Sequence, residues 1–319
     1  LTITHNGYIK RTSLSTYRSQ RRGGRGVQGA SSREEDFVEH LFVANTHSYI
    51  LFFTDKGKCY WVKVYDIPEG GRAAKGRAIV NLIGCEPDEK VSAFISVKEF
   101  NEDHYVVMAT EKGMVKKTKL SAYSNPRKKG IYAVEIRDGD RLIEARVSTG
   151  DNDILLGTRN GKSIRFSEEQ IRASGRKTMG VKGITLSSED DRLVGMLLIK
   201  REGTVLVATE KGFGKRTEIS QYRAQKRGGK GVLTMKTTDK VGKMVTIKEV
   251  VDKDDLMIIT NQGVLIRLPV AQIRSIGRAT QGVKLIKLGE GTLVSSITRI
   301  MSEEEEDENN NTESTDPKE

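Results

Sequence analysis

Residues 49–64 read YILFFTDKGKCYWVKV, an apolar run and a mixed polar–apolar run on either side of the segment Thr54-Asp55-Lys56-Gly57. Two such runs around a turn with glycine are typical of a β-hairpin, because glycine accepts the positive φ that tight turns require. The Thr-x-x-Gly pattern occurs six times, at Thr4–Gly7, Thr54–Gly57, Thr110–Gly113, Thr158–Gly161, Thr209–Gly212 and Thr260–Gly263. We call the last residue of each copy the hairpin glycine. The pattern predicts six hairpins in six repeated units.

A second glycine follows each hairpin glycine, 19 residues downstream in five copies and 17 in the third. These second glycines are Gly26, Gly76, Gly130, Gly180, Gly231 and Gly282. A polar loop separates the two glycines, and a strand is expected after the second, as at Ile131–Ile136 or Val283–Leu288. Another strand is expected to open each unit, at Phe37–Ala44, Val91–Val97, Leu142–Ser148, Leu193–Ile199, Met244–Val250 and Leu293–Ile300.

The first unit lacks an opening strand, and the last opening strand has no unit of its own. We therefore expect Leu293–Ile300 to complete the unit that begins at Leu1 and to close a ring, which leaves no exposed sheet edge. Six four-stranded units in a ring predict an all-β, propeller-like domain over residues 1–301. Residues 302–319 are acidic and poor in apolar side chains, so a disordered tail is expected there. A helical solenoid is disfavoured, since no apolar stripe of helical period persists.

The charge distribution points to a polyanionic partner. The 319-residue chain carries a net charge of +11, and its segment from Glu303 to Glu319 carries −8, which leaves +19 for the rest. Cys59 and Cys85 lack zinc-site spacing and are expected to be reduced thiols. The sequence shows no membrane span or signal peptide, so we expect a cytoplasmic protein. Because it begins at Leu1 in mid-pattern, we expect it to be a piece of a longer chain.

The basic residues concentrate in the loops between the two glycines. The first loop contains Gln20-Arg21-Arg22-Gly23-Gly24-Arg25-Gly26. Glycine permits a close approach of the backbone, and the arginine guanidinium matches phosphate oxygens. Equivalent loops of a ring lie on one circumference, so the charge is expected to form a belt around which DNA bends. Such contacts position DNA without reading its sequence.

The stretch Gln20–Gly26 matches the GyrA box, QRRGGRG, and the six units resemble the C-terminal domain of the bacterial DNA gyrase A subunit. This resemblance covers the whole chain up to the tail. It implies a six-bladed β-pinwheel, in which neighbouring blades exchange strands, that wraps double-stranded DNA for ATP-dependent negative supercoiling. It further implies that the catalytic tyrosine, the ATPase, ATP and Mg²⁺ belong to other parts of the enzyme, so that this fragment is no enzyme and needs no cofactor. The implied partners are double-stranded DNA, the B subunit of gyrase and the rest of the A subunit, in an A2B2 assembly, with a monomeric isolated domain.

The candidate DNA-binding residues combine the box with basic residues of the loops. They are Gln20, Arg21, Arg22, Gly23, Gly24, Arg25 and Gly26, with Lys10, Arg11 and Arg18, in the first unit; Arg72, Lys75 and Arg77 in the second; Lys116, Lys117, Arg127, Lys128 and Lys129 in the third; and Lys226, Arg227 and Lys230 in the fifth. The fifth-unit residues belong to a box-like stretch, residues 225–231, which reflects either repeat ancestry or a second anchor for DNA.

Other functions fit the sequence less well. Topoisomerase IV has the same type of C-terminal domain, usually with a degraded box. A propeller that binds an acidic protein would also use a basic belt. A protein that binds single-stranded nucleic acid is expected to carry more aromatic side chains, on which bases stack, than the 6% present here. Gly157–Ser163 resembles a nucleotide-binding P-loop but is one residue short between its glycines and is expected to lie on a hairpin.

Overall fold

In a computed structural model of the chain, structure is described for residues 1–4, 6–13, 38–41, 44–71, 74–200, 203–262 and 265–300. Each of the six predicted hairpins is an antiparallel pair of strands. In chain order the strands are β1 (Thr2–Thr4), β2 (Tyr8–Lys10), β3 (Val38–Leu41), β4 (Tyr49–Thr54), β5 (Lys58–Lys63), β6 (Arg77–Ala78), β7 (Val91–Val97), β8 (Tyr105–Thr110), β9 (Met114–Lys119), β10 (Ile131–Tyr132), β11 (Leu142–Ser148), β12 (Asp153–Thr158), β13 (Lys162–Ser167), β14 (Val181–Lys182), β15 (Leu193–Ile199), β16 (Thr204–Thr209), β17 (Phe213–Glu218), β18 (Val232–Leu233), β19 (Met244–Val250), β20 (Asp255–Thr260), β21 (Leu265–Pro269), β22 (Val283–Lys284) and β23 (Val294–Ile300).

Helical structure in the described segments is short. The helix α1 (Ile79–Ile83) follows β6 and ends at Gly84, whose left-handed conformation is the usual helix stop. Single 3₁₀ turns follow the second strand of five hairpins, at Val64–Asp66, Leu120–Tyr123, Glu168–Gln170, Ile219–Gln221 and Val270–Gln272. No described helix is long and apolar enough to cross a membrane.

The strands form six small antiparallel sheets, and each of the first five draws on two repeats. The orders are β3-β1-β2-β6, β7-β4-β5-β10, β11-β8-β9-β14, β15-β12-β13-β18 and β19-β16-β17-β22, with β23-β20-β21 in the described residues of the sixth. In the first five sheets the outer strand after the hairpin comes from the next repeat. This is the strand exchange that the resemblance implied.

The predicted pairing of Leu293–Ile300 with the unit that begins at Leu1 is wrong. That segment forms β23, which pairs with β20 of the hairpin immediately before it, and β3 pairs in the same way with β1. The strands expected to open each unit therefore complete the sheet of the preceding hairpin.

The phased glycines allow the exchanged strands to dock. Gly57 has φ +80°, and a Cβ atom on it would lie 2.4 Å from the carbonyl oxygen of Val134, in the segment that follows β10. The Gly57 carbonyl accepts hydrogen bonds from Ala133 (2.8 Å) and Val134 (3.2 Å). The same contact joins Gly161 to Thr234 (2.8 Å). Only glycine combines this backbone conformation with so close an approach. The amides of Ala133 and Val134 bond to Gly57 O, so β10 ends after two residues, whereas the sequence predicts a strand over Ile131–Ile136.

The described residues form two compact units, one within residues 1–151 and 171–181 and one within residues 152–170 and 182–300. The first three sheets lie in the first compact unit, apart from Lys182 at the end of β14, and the last three lie in the second. Within the first compact unit, Ile50 and Phe52 of β4 pack against Ile3 and Ile9 of the first sheet. The alternate residues of β4 face the third sheet. Burial on both faces explains why the first strands of the hairpins read as continuous apolar runs. The single domain over 1–301 stays a prediction, and the tail lies outside the described residues.

Candidate nucleic-acid interface

The basic loops lie along sheet edges. We define an edge loop as the segment from the end of a hairpin's second strand to the second glycine: 64–76, 120–130, 168–180, 219–231 and 270–282 in repeats two to six. In repeats two, four, five and six the main chain of the edge loop hydrogen-bonds to the hairpin of the repeat before, at or just after its second strand, for example Ser174 N to Lys117 O (2.9 Å) and Gln225 N to Arg165 O (2.8 Å). The loops therefore cover edges that would otherwise expose unpaired backbone groups.

Many cations of the edge loops point into solvent. The exposed ones are Lys75, Arg127, Lys128, Lys129, Arg172, Lys177, Arg223, Lys226, Lys230 and Arg274, and Arg77 is exposed just beyond the second loop. None of these side chains forms an ion pair with an acidic residue of the described segments. Lys75 lies over the ring of Tyr8, with Nζ 4.0 Å from the ring centroid. These side chains can reach a phosphate without first giving up an acidic partner.

The box-like stretch of the fifth repeat is held firmly at its centre. The guanidinium of Arg227 donates to the carbonyl oxygens of Lys182 (2.6 Å) and Gln170 (3.3 Å). Gly228 N donates to Gly183 O (2.8 Å), and Thr185 Oγ1 donates to Gly228 O (2.7 Å). Lys226 and Lys230 flank this centre and are exposed. Arg227 thus serves the loop's own structure, which departs from its predicted role, whereas its two lysine neighbours remain available to a ligand.

Four more of the predicted DNA-binding residues have partners within the protein. Lys10, Lys116 and Lys117 are 4%, 1% and 6% exposed. Arg11 donates from Nε to the carbonyl oxygen of Ile67 (2.8 Å) and pairs with Glu69. A lysine ammonium with so little exposed surface offers no face to a phosphate. The structure therefore corrects the direct DNA contact predicted for Lys10, Lys116 and Lys117.

A row of side-chain donors, not recognised from the sequence, joins each of four hairpins to the next edge loop. It occupies the fourth position after the hairpin glycine. Besides Arg11, Trp61 Nε1 donates to Tyr123 O (2.8 Å), Arg165 Nη1 to Tyr222 O (3.2 Å) and Arg216 Nε to Ile273 O (2.8 Å). Tryptophan and arginine make the same contact, so an N–H donor rather than a charge is what this position supplies. An alignment of the six repeats would locate this position. The arginines there look like surface cations in the sequence, so their hydrogen bonds to the edge loops are not apparent from it.

Two buried lysines have strongly altered protonation. Burial, with a smaller contribution from Arg176, lowers the pKa of Lys116 to about 7. Burial, together with Arg278, lowers the pKa of Lys215 to about 8. Removal of an ammonium from water disfavours its charged form, and a nearby guanidinium adds repulsion. These lysines contribute less positive charge to the interface than a count of basic residues suggests.

Several predicted features lie outside the described residues. They are Arg18, the box residues Gln20–Gly26, Arg72 and the acidic tail 302–319. In the described part of the chain, no group of three or more His, Cys, Asp and Glu side chains is arranged to hold a metal ion. The P-loop-like residues Gly157–Ser163 lie on the hairpin of β12 and β13, as predicted.

Comparison with known proteins identifies sequence relatives over the whole folded region. The family model described as "DNA gyrase C-terminal domain, beta-propeller" matches residues 1–45, 48–98, 104–149, 152–200, 203–250 and 254–300. The DNA gyrase A subunit of Staphylococcus epidermidis (strain ATCC 12228) is 47% identical over 307 residues, which are 95% of this chain and 34% of that protein. The DNA gyrase A subunit of Staphylococcus aureus (strain NCTC 8325) is 46% identical over 318 residues, 99% of this chain and 36% of that protein. The chain thus spans about a third of the length of these relatives.

Solved structures show the same fold. The crystal structure of the C-terminal domain of DNA topoisomerase IV superposes with a TM-score of 0.84 at 25% identity and covers 98% of this chain and 97% of that one. The structure of a DNA gyrase A C-terminal domain superposes with a TM-score of 0.75 at 23% identity and covers 94% and 98%.

Proposed function

This chain belongs to the family of DNA gyrase C-terminal domains, and we propose that it binds double-stranded DNA without sequence preference, bends it and wraps it along the edge loops. Each of the six segments matched by the family model contains one hairpin and the strand that pairs with the first strand of that hairpin. The prediction of an all-β, six-bladed propeller is therefore confirmed. Family membership supports DNA as the ligand, whereas chiral wrapping is our proposal.

The observation that carries the proposal is the set of exposed cations on the edge loops. Arg127, Lys128 and Lys129 stand side by side and exposed in the third loop, and Lys226 and Lys230 flank the anchored centre of the fifth. The main chain of a loop that is hydrogen-bonded to a sheet edge loses little conformational freedom on binding, which favours affinity. Phosphate contacts of this kind act on any DNA sequence.

The energy needed to bend DNA must be offset by contacts between the protein and the DNA phosphates. A bend of 40–90° over a site of 20–30 base pairs costs on the order of 1–6 kcal/mol. Roughly 6–10 phosphate contacts change DNA affinity by about 10³–10⁵ between 50 and 200 mM salt. The exposed cations of the described loops suffice for that number. We infer that the loops offset the bending energy through phosphate contacts, with a preference for DNA that bends easily.

The role in the whole enzyme is also a proposal. We propose that the wrap delivers DNA to the B subunit of gyrase and to the remainder of the gyrase A subunit, in an A2B2 assembly in the bacterial cytoplasm, for ATP-dependent negative supercoiling. The strand-cleaving tyrosine, the ATPase and the sites for ATP and Mg²⁺ would lie in those other parts. As an isolated domain, the chain would be a monomer that binds and shapes DNA without catalysis.

A role in topoisomerase IV is the second candidate, because the topoisomerase IV domain superposes with the higher TM-score. The sequence favours gyrase: the curated relatives at 46–47% identity are gyrase A subunits, and the box Gln20–Gly26 matches without a substitution. We therefore keep gyrase as the proposed enzyme.

Ligation of a nicked circular plasmid tests the wrap directly. Closure of the nick in the presence of a wrapping protein traps its writhe as a change in linking number, and we expect a positive shift that grows with protein concentration. Arg21, Arg22 and Arg25 replaced together by Ala should abolish the shift while the thermal melt stays nearly unchanged. DNA binding in a gel without any shift would refute wrapping, and a large loss of melting temperature in the triple variant would mean that the box is structural.

A further inference from the structure

Three buried lysines occupy one repeat position and reach the same kind of partner. Lys10, Lys116 and Lys215 are the third residues after the hairpin glycines of the first, third and fifth repeats. Each is at most 4% exposed, and each amine donates to main-chain carbonyls of the next repeat's edge loop. Lys10 Nζ donates to Gly71 O (3.0 Å) and Ala74 O (2.9 Å). Lys116 Nζ donates to Arg176 O and also to Ala133 O (2.7 Å). Lys215 Nζ donates to Arg278 O and to Gly277 O (2.7 Å).

The intervening repeats use a different arrangement. The equivalent residues are Tyr60, Ile164 and Ile266. Tyr60 and Ile164 are buried, and the edge loops of the repeats that follow them carry a buried tyrosine, Tyr123 or Tyr222, at the fourth position of the loop, where the other edge loops carry isoleucine. The lysine therefore accompanies one type of edge loop, which carries Ile67, Ile171 or Ile273 at that position and exposes carbonyls to its inner side. The lysine amines supply hydrogen-bond donors to these carbonyls.

An exposed lysine directly follows the anchored carbonyl in two of these three loops. Lys177 follows Arg176, and Lys75 follows Ala74; in the sixth loop the corresponding residue is Ala279. The chain neighbours of Lys177, Arg176 and Thr178, are both hydrogen-bonded to other parts of the protein. Arg176 O accepts from Lys116 and the Arg176 guanidinium donates to Tyr132 O (3.3 Å), while Thr178 O accepts from Glu135 N (3.1 Å). Lys177 itself is exposed.

We propose that Lys10 and Lys116 are positioning residues for DNA binding: their buried amines anchor the edge loop so that the exposed lysine next to the anchored carbonyl, Lys75 or Lys177, is held ready for a phosphate. The proposal rests on the proposed function. It separates the basic residues into those that meet DNA and those that support them. It also accounts for the presence of a basic side chain at a buried position in the first and third repeats.

A double-mutant cycle on the full chain tests the assignment. The variants are Lys116→Met, Lys177→Ala and both together, measured as the slope of log affinity for a short double-stranded DNA against log salt concentration. Loss of one phosphate contact lowers this slope by about 0.9. We expect that fall in each single variant and no further fall in the double variant, because both changes remove the same contact. Falls that add to about 1.8 would mean independent contributions and would overturn the proposal.

Two further variants distinguish positioning from a general effect on folding. Lys116→Gln keeps two N–H donors without the charge and should restore part of the affinity that Lys116→Met loses. Lys215→Met removes an equivalent anchor in a loop where Ala279, and no exposed lysine, follows the anchored carbonyl, so it should change DNA affinity by less than about two-fold. An equal loss in Lys116→Met and Lys215→Met would refute positioning in favour of a general loss of structure.

A readout without DNA keeps this test separate from the proposed function. Exchange of the Glu135 amide hydrogen, which is bonded to Thr178 O, should accelerate in Lys116→Met and stay unchanged in the exposed control Lys129→Met. If the wild-type chain does not bind DNA, the proposed function fails, whatever this exchange shows. If it binds DNA and Lys116→Met changes neither slope nor exchange, only the positioning role fails. Should Lys116→Met not fold, the same cycle with Lys10→Met and Lys75→Ala decides.

Discussion

Replacement of Gly57 by alanine tests whether the phased glycines dock the exchanged strands. The new Cβ would lie 2.4 Å from Val134 O, at a backbone φ of +80°. A left-handed conformation costs a non-glycine residue roughly 1–2 kcal/mol. Displacement of the strand would also weaken the two hydrogen bonds to Gly57 O, each worth about 0.5–1.5 kcal/mol. We therefore expect Gly57→Ala to lower the free energy of unfolding by about 2–4 kcal/mol.

Trp61, the chain's single tryptophan, provides the assay, because its indole donates to Tyr123 O (2.8 Å) in the edge loop that leads to β10. Urea unfolding followed by tryptophan emission would report the loss, and the native emission should shift to the red as the loop loosens. Gly175→Ala is the matched control in the same unit, since nothing lies within 4 Å of the point that its new Cβ would occupy. Unfolding free energies of the two variants within about 0.5 kcal/mol of each other would refute the reasoning.

Further predictions concern charge. Replacement of three edge-loop cations together by Ala, at Arg127, Lys128 and Lys129, should lower the salt slope of DNA binding by up to about 2.7. The same loss of charge outside the edge loops, at Lys56, Lys90 and Lys112, should leave the slope nearly unchanged. Equal falls in the two variants would show that net charge alone matters. The free energy of unfolding should rise with pH between about 7 and about 10.4, by up to about 1.4 kcal/mol per pH unit from Lys116. Burial lowers the pKa of Lys116 to about 7 in the folded chain, so in this range the amine is protonated only when the chain is unfolded. Urea unfolding at two pH values in that range should show the rise in wild type and a smaller one in Lys116→Met, and equal rises would contradict it. Deletion of Glu303–Glu319 should tighten DNA binding at low salt if the tail competes with DNA, and unchanged affinity would remove the tail from the mechanism.

The repeated local patterns were sufficient to predict the hairpins and the class of fold. Thr54–Gly57 and its five copies determine where the chain turns, because a tight turn depends on the conformational freedom of one residue. The apolar runs before them predict strands buried on both faces, since periodicity reflects which side chains meet water. The basic loops predict a polyanionic ligand for the same reason: charge composition is a property of the sequence.

Which strand pairs with which was decided by tertiary structure alone. β23 pairs with β20, and β10 of the third repeat pairs with β5 of the second. Short strands joined by loops of similar length can pair in several ways, and packing of the whole sheet selects among them. The sequence shows the two glycines of each repeat at a nearly constant spacing, yet the hairpin glycine contacts the following repeat, as Gly57 does through the amides of Ala133 and Val134.

The same limit applies to the individual cations. Lys116 and Lys129 are both lysines of the third repeat, but one is 1% exposed and anchors a loop while the other is exposed. A lysine stem is apolar and its amine is a donor, so the residue serves equally well on a surface or beneath a loop. Sequence alone determined that this chain is a repetitive β protein with basic loops. Tertiary structure decided which of those basic groups face solvent, because burial depends on residues of the next repeat that lie 60 positions away, such as Arg176 beside Lys116.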